Sequence, residues 1–240
     1  MVRFMKGKRV FLNIITNAII ILVLVLIATV CFSSQPQYVF GSSSDEAIYS
    51  GDASSNKVSL MINVYWGTEY IEEILQILDA YSIKSSFFVG GQWVEKEPEM
   101  LRKIYDAGHE IGNHGYFHQD QGSLSYDQNY EEIKACHQIV KATIGYEMAL
   151  FAPPSGDFSK TTLKVAQELG YSTIMWSKDT IDWRDKDSSL VYSRCTEGIS
   201  GGEFILMHPT EHTTEALDDV LEYYANNNLK ACTVSENLAT

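Results

Sequence analysis

Short apolar segments alternate with amphipathic segments through most of the chain. Seven runs have the length and apolar content of β-strands, and six segments between them carry apolar residues at helical spacing. Ile71, Ile74 and Leu78, for example, fall on one face of the first helix. The predicted strands are 57–64, 84–90, 109–113, 148–153, 171–177, 203–208 and 229–234, and the predicted helices are 69–81, 97–108, 126–143, 159–170, 188–199 and 214–227.

This alternation predicts parallel strands joined by right-handed crossovers. A doubly wound open sheet and a barrel both satisfy the pattern. Polar or unusual residues follow many different strands, which favours a barrel whose site is built from the strand-to-helix loops. The sequence therefore predicts an α/β fold, a distorted or incompletely closed (β/α)7 barrel. The residues at the strand ends are Asn63, His114, Pro153, Asp179 and His208.

The N-terminal region predicts a membrane anchor. Residues 10–32 are 23 residues without a charge, long enough to cross a bilayer and longer than the apolar part of most cleaved signal peptides. Cations precede this run, so we expect a single-pass protein with a cytoplasmic N-terminus and an extracytoplasmic domain. A cleaved signal peptide is the alternative. The predicted organisation is a basic segment at 1–9, a signal-anchor at 10–32, a linker at 33–56 and one domain at 57–240.

Charge and cysteine content narrow the function classes. The chain has a net charge of −13, and because its first 32 residues carry four cations and no acid, the remainder carries −17. Such a domain lacks the basic surface that nucleic-acid binding requires. No C-x-x-C pair is present, which argues against a thiolate metal site. Cys136, Cys195 and Cys232 are expected to be small buried residues, although an extracytoplasmic location permits a disulfide among them.

Two histidines four residues apart are candidate metal ligands. His114 and His118 lie in NHGYFHQD, on a loop after the third predicted strand. Catalytic zinc sites usually have three protein ligands and an open position for water or substrate, so a third ligand has to come from elsewhere in the chain. A pair of surface histidines is the alternative interpretation.

Other strand ends carry further candidates. DTIDW places Asp179, Asp182 and Trp183 after the fifth strand, where they form a site wall or, alternatively, cap the next helix and pack beside it. LMHP ends the sixth strand with His208, which is either catalytic or a structural histidine. FAPPSG after the fourth strand contains a Pro-Pro turn.

In this order the segments resemble the polysaccharide deacetylases of carbohydrate esterase family 4, the NodB-homology domain. The resemblance covers roughly residues 57 to 238, and INVYWG, FAPPSGDFS, WSKDTIDW and LMHPT look most like a sporulation-associated branch. It implies a distorted (β/α)7 barrel and a divalent cation, zinc or cobalt, at His114 and His118. It also implies that the cation polarises an N-acetyl carbonyl while an aspartate base activates water.

The resemblance assigns roles to the remaining candidates. His208 would be the general acid that protonates the leaving amine. Asp179 or Asp182 would orient that histidine. Trp183 would line the sugar groove, with Asn63 and Tyr65 as further substrate contacts.

The chain departs from the family pattern at its first motif, which carries the base and the third metal ligand as neighbouring aspartates. Asn63 stands in the place of the base, and a carboxamide is not basic. Val64 or Tyr65 stands in the place of the metal aspartate, and Ala152 replaces an arginine that supports the base. The site is therefore expected to be weakened, with its third ligand supplied by Asp120, by water or not at all.

Two functions follow from these features. The first is a membrane-anchored hydrolase that removes acetyl groups from N-acetylated cell-wall glycans, as the retained histidines and DTIDW segment suggest. The second is a catalytically impaired relative that binds a glycan or a partner through the same groove, as Asn63, Tyr65 and Ala152 suggest. A structural domain without a ligand explains the retained histidines less well.

Overall fold

The computed structural model describes residues 16–23 and 46–239. Residues 16–23 are helical, and no helix among the described residues is long and apolar enough to cross a membrane. The predicted basic segment 1–9, most of the predicted anchor 10–32 and the first part of the predicted linker lie outside the described residues.

A single parallel sheet organises this unit. Its order is β5-β4-β3-β2-β1-β7-β6, and β8 pairs with the first part of β1. The strands are β1 (Lys57–Val64), β2 (Ser86–Val89), β3 (Glu110–Asn113), β4 (Leu150–Phe151), β5 (Ser172–Thr173), β6 (Lys178–Asp179), β7 (Phe204–Met207) and β8 (Lys230–Cys232).

Helices follow the strands. They are α1 (Thr68–Ala80), α2 (Gly91–Lys96), α3 (Pro98–Asp106), α4 (Tyr126–Ile144), α5 (Lys160–Glu168), α6 (Asp182–Asp185), α7 (Ser188–Thr196), α8 (Glu211–Asn226) and α9 (Val234–Leu238), with short 3-10 turns at Gln121–Ser123 and Pro154–Gly156. A capping box begins α4: the Ser125 side chain accepts from the backbone N–H of Gln128, whose side chain accepts from the Ser125 N–H in return.

The prediction of seven strands was wrong at the fifth. The predicted strand 171–177 is shortened to β5, which pairs with β4, and a separate β6 just after its predicted end pairs with β7 at the opposite end of the sheet. Between β5 and β6 the backbone crosses from the β4 side of the sheet to the β7 side. It has reached β7 by Ser177, whose N–H donates to Phe204 O at 3.0 Å. The sheet is thus a curled α/β half-barrel, and no ladder joins β5 to β6 among the described residues.

The gap between these edges is partly filled by the end of the predicted linker. Ile48 pairs with Ile174 and Ser50 pairs with Glu203, so these residues are hydrogen-bonded to the sheet. The chain fits because Gly202 adopts a φ of +85° and lies against the backbone of Asp52, where a Cβ would come within 3.0 Å of it. The last part of the predicted linker 33–56 thus contributes two bridges to the sheet.

Strand β1 separates two apolar layers. Val58, Leu60, Ile62 and Val64 alternate toward the main core, which the outer helices cover. Met61 instead points into a second cluster inside the curl of the sheet, with Phe88, Leu150, Ala152, Ile174, Phe204 and Val234. Asn63 follows Met61 with the strand period of two, so its side chain also lies inside the curl, at the carboxyl end of the strand.

Candidate functional site

A cleft of about 400 Å³ opens at the carboxyl ends of the strands. The parallel register brings these ends together, because Asn63 lies beside Phe88 of β2 and Met207 of β7 lies beside Ile62. Seven of the eight predicted site residues line the cleft: Asn63, Tyr65, His114, His118, Asp179, Trp183 and His208. The eighth, Asp182, lies directly behind His208.

The two predicted metal ligands lie side by side, with ring centroids 5.0 Å apart. His114 follows β3 and is 2% exposed, and its Nδ1 lies 2.8 Å from the carbonyl oxygen of Ala152. A carbonyl only accepts, so Nδ1 carries the proton and Nε2 keeps a lone pair. Burial lowers the pKa of His114 to about 3. Burial also lowers the pKa of His118, which has a left-handed backbone conformation with a φ of +57°.

The end of β1 is the place where the resemblance implies paired aspartates. Asn63 is 4% exposed, and its Oδ1 has no hydrogen-bond partner among the residues that the structure describes. Val64 packs into the helix-side core. Tyr65 instead stacks on His118 with ring centroids 4.6 Å apart, and its hydroxyl donates to Gln92 Oε1 at 2.9 Å. Of the two residues that the sequence left open, Tyr65 is therefore the one beside the histidines.

The opposite side of the cleft holds a complete histidine–aspartate pair. Asp182 Oδ1 lies 2.8 Å from His208 Nδ1, and Asp182 Oδ2 accepts the backbone N–H of His208 at 2.7 Å. The same carboxylate accepts hydrogen bonds from the Thr213 hydroxyl and from the backbone N–H of Trp183. Burial opposes the charge of Asp182, but the bonds from His208 and Thr213 outweigh it and lower the pKa of the carboxyl.

Asp182 and not Asp179 is therefore the residue that orients His208. Asp179 lies at the end of β6 and faces the cleft, where its Oδ1 accepts the N–H of Ile181 at 2.8 Å. Ile181 has a φ of +51°, a conformation that a β-branched residue rarely adopts. This turn places Asp182 behind the cleft wall. Both aspartates also accept a backbone N–H in the turn into α6, Asp179 from Ile181 and Asp182 from Trp183, as the alternative interpretation expected.

A family model described as "Polysaccharide deacetylase" matches residues 50–174, just over half of the chain. The chain belongs to the polysaccharide deacetylase family. Among curated relatives, the uncharacterized protein YlxY of Bacillus subtilis is 37% identical over 202 residues, 84% of this chain and 63% of that protein. Peptidoglycan-N-acetylmuramic acid deacetylase PdaA of Bacillus subtilis is 29% identical over 181 residues, 73% of this chain and 69% of that protein.

A solved structure with the same fold is that of a CE4 family pseudoenzyme from Bacillus anthracis. It matches with a TM-score of 0.80 and 36% identity, covering 81% of this chain and 69% of that one. A mutant of the same pseudoenzyme, described as having restored enzymatic activity, also matches with a TM-score of 0.80, at 35% identity over 81% of this chain and 72% of that one. These matches confirm the predicted α/β fold of the domain and its resemblance to the polysaccharide deacetylases.

The residues of the cleft supply only part of a metal site. His114 and His118 fit the imidazole ligands of a zinc-type cation. Within residues 16–23 and 46–239, however, no group of three His, Cys, Asp or Glu side chains is arranged to hold a metal. Asp120, which the sequence offered as a third ligand, therefore does not complete the set, and Tyr65 covers the face of His118. These residues do not fit a three-ligand catalytic site.

Several cleft residues were missed by the sequence reasoning. Trp66 is 45% exposed and stacks on His208, with ring centroids 6.0 Å apart and planes 4° apart. Its position directly after Tyr65 was an available signal. Trp176 lies in the segment first read as strand, and Ser155 in the Pro-Pro turn has a φ of +56°. The missed lining residues are Trp66, Ser155, Trp176 and Leu206.

Proposed function

We propose that this member of the polysaccharide deacetylase family binds a cell-wall glycan in its cleft and is catalytically impaired. The observation that carries the proposal is the position of Tyr65. Its ring stacks on His118, and Gln92 anchors its hydroxyl, where the family's first motif has a carboxylate. Asn63 beside it is unable to accept a proton at neutral pH. The base and the third metal ligand are therefore lost together.

The cleft itself remains suited to a sugar. Trp183 is 51% exposed and Trp66 is 45% exposed, and both line the cleft together with Trp176. Flat aromatic faces bury the apolar C–H face of a sugar ring and leave its hydroxyls in water. Exposed tryptophans otherwise cost solubility, so their concentration around one cleft favours a ligand-binding role.

The relatives support the class of ligand. PdaA is named for its action on peptidoglycan, and the Bacillus anthracis structure is described as a pseudoenzyme. A peptidoglycan strand is accordingly the glycan that we propose. The uncharged run at 10–32 and the cations before it support a location at the cell membrane, with the domain on the outer side. A membrane-anchored domain there would meet cell-wall glycan directly.

A slow deacetylase is the second candidate, and one specific observation favours it. His208 and Asp182 keep the geometry of a general acid and its orienting carboxylate, with 2.8 Å between His208 Nδ1 and Asp182 Oδ1. This pair would protonate a leaving amine if another group activated the water. Acetate release distinguishes the two candidates, because binding alone produces none.

The binding proposal is tested with the full chain in detergent. Titration with peptidoglycan fragments and N-acetylglucosamine oligomers, followed by calorimetry, is expected to give saturable binding. Trp183→Ala is expected to weaken it at least about tenfold, because an exposed aromatic face is lost. Trp93→Phe is the matched control, since Trp93 is buried outside the cleft and bonds Thr68. Absence of binding to any of these glycans would overturn the proposal.

A further inference from the structure

The cleft carries features that select among glycans. We propose that it prefers an amino sugar with a free, protonated nitrogen over the N-acetylated sugar on which deacetylases act. The inference rests on the proposed glycan binding and names its ligand class, a partly deacetylated glycan. In this view the protein recognises the product of family enzymes and not their substrate.

The first observation is the charge of the cleft lining. Asp179 supplies a carboxylate to the cleft, and none of the described residues that line the cleft is Lys or Arg. Asp179 Oδ1 accepts one backbone N–H, from Ile181, which leaves Oδ2 available for a ligand. Arg184 is close enough to Asp179 to interact with it electrostatically, but its guanidinium is held by both carboxylate oxygens of Asp185. The cleft therefore offers a negative charge, and no Lys or Arg among its described lining residues opposes an ammonium group.

The second observation is a buried acceptor without a partner. Asn63 Oδ1 is buried at the base of the cleft and makes no hydrogen bond to any described residue. Leaving such an atom unpaired is costly, so a ligand that donates a hydrogen bond there gains affinity. An ammonium group has three N–H donors, whereas an acetamide has one donor and a carbonyl that only accepts. His114 Nε2, with its lone pair, is a second acceptor on the same wall.

The third observation is the aromatic lining. Trp66, Trp176 and Trp183 surround the cleft, and an indole face attracts a cation through its quadrupole. An ammonium group held near Asp179 gains this attraction, and a neutral acetamide does not. A cleft with a complete divalent metal site would repel the same ammonium. Since the described residues do not complete that site, a divalent cation is held less firmly, which reduces the repulsion and leaves the acceptors open to the ammonium.

The experiment compares two ligands that differ by one acetyl group. The full chain in detergent is titrated calorimetrically with an N-acetylglucosamine tetramer and with the same tetramer carrying one free amine. We expect the free-amine tetramer to bind about tenfold more tightly. Asp179→Asn should reduce that ratio to about one, since the amide keeps the bond from Ile181 but loses the charge. Asp106→Asn makes the same change at an exposed site outside the cleft and should preserve the ratio.

Each outcome has a separate meaning. Equal affinities, or tighter binding of the fully acetylated tetramer, would overturn the amine preference and leave the proposed glycan binding standing. No binding of either tetramer or of peptidoglycan fragments would overturn both. A preference that falls equally in Asp179→Asn and Asp106→Asn would assign it to the overall negative charge and not to the cleft. The wild-type ratio alone tests the proposal if Asp179→Asn fails to fold.

Discussion

Replacing Asp182 with asparagine tests the buried network behind the cleft. The carboxylate is 1% exposed and accepts two bonds from His208, one from Thr213 and one from the Trp183 N–H. An asparagine keeps the volume and one acceptor oxygen. Its NH2 group, however, takes the place of Oδ2, which accepts hydrogen bonds from Thr213 and from the backbone N–H of His208. Thr213 can rotate its hydroxyl to accept from the new amide, but the backbone N–H of His208 cannot and loses its partner.

The cost follows from these bonds. A hydrogen bond to a charged group contributes about 1.5–3 kcal/mol, and a buried donor left unsatisfied costs about 1–3 kcal/mol more. Burial prevents solvent from compensating, so we expect Asp182→Asn to lower the free energy of unfolding by about 2–4 kcal/mol. Asp179→Asn, at a half-buried position with one backbone bond that an amide retains, should cost less than about 1 kcal/mol.

Urea unfolding of the full chain, followed by circular dichroism, measures the difference. With a slope of about 2–3 kcal/mol per molar urea, the midpoint of Asp182→Asn should fall by about 1 M. The pKa of Asp182 is lowered in the fold, so its contribution is present above its unfolded pKa of about 4 and is lost as pH falls through the folded pKa. The difference in the free energy of unfolding between wild type and Asp182→Asn should therefore shrink below pH ~4. Equal midpoints for wild type and Asp182→Asn at neutral pH would refute the network.

Three further predictions concern the altered wall of the cleft and one buried histidine. The double variant Asn63→Asp, Tyr65→Asp supplies a base and a third metal ligand. Acetate release with zinc should then rise at least about a hundredfold above the wild-type level, because a general base typically accelerates a reaction by that factor or more. Tyr65→Ala uncovers His118 and should tighten zinc binding, measured by competition with a chromophoric chelator. Burial lowers the pKa of His109 to about 4, and its Nδ1 accepts the Ser85 N–H at 3.1 Å. Since the folded pKa lies below the unfolded value of about 6.5, stability should fall by up to about 3 kcal/mol between pH ~6.5 and 4, and His109→Gln should lack this loss in urea unfolding.

These predictions have clear contrary results. A double variant that folds and binds zinc but releases no acetate would mean that more than the first motif has been lost. Unchanged zinc affinity in Tyr65→Ala would show that Tyr65 does not cover the histidines. A flat stability profile between pH 6.5 and 4 in wild type would mean that His109 is protonated in the fold.

The sequence predicted the alternating fold because each strand and helix carries its own apolar period. It missed β6 because Lys178–Asp179 has neither apolar content nor length, and its pairing with β7 is a property of the curled sheet. It also missed the pairing of Ile48 and Ser50, since residues with Ser- and Gly-rich neighbours resemble linker. Both errors arise where tertiary contacts, and not local propensity, decide the structure.

The site was predictable in its parts but not in its arrangement. Strand ends placed His114, His118 and His208 at one edge, because parallel strands end together. The choice of Asp182 over Asp179 depended on the left-handed turn at Ile181, which no sequence pattern indicated. The stacking of Tyr65 on His118 likewise required the conformations of two loops.

Acetate release tests the central claim most directly. The full chain in detergent is incubated with peptidoglycan and N-acetylglucosamine oligomers, with added zinc or cobalt, beside His114→Ala. A deacetylase of the same family serves as the positive control. We predict that glycan binds while acetate stays at the level of His114→Ala, because the base and the third metal ligand are missing. Metal-dependent acetate release by the wild type that disappears in His114→Ala would contradict it, and would mean that the two histidines still support catalysis without Asn63 as a base.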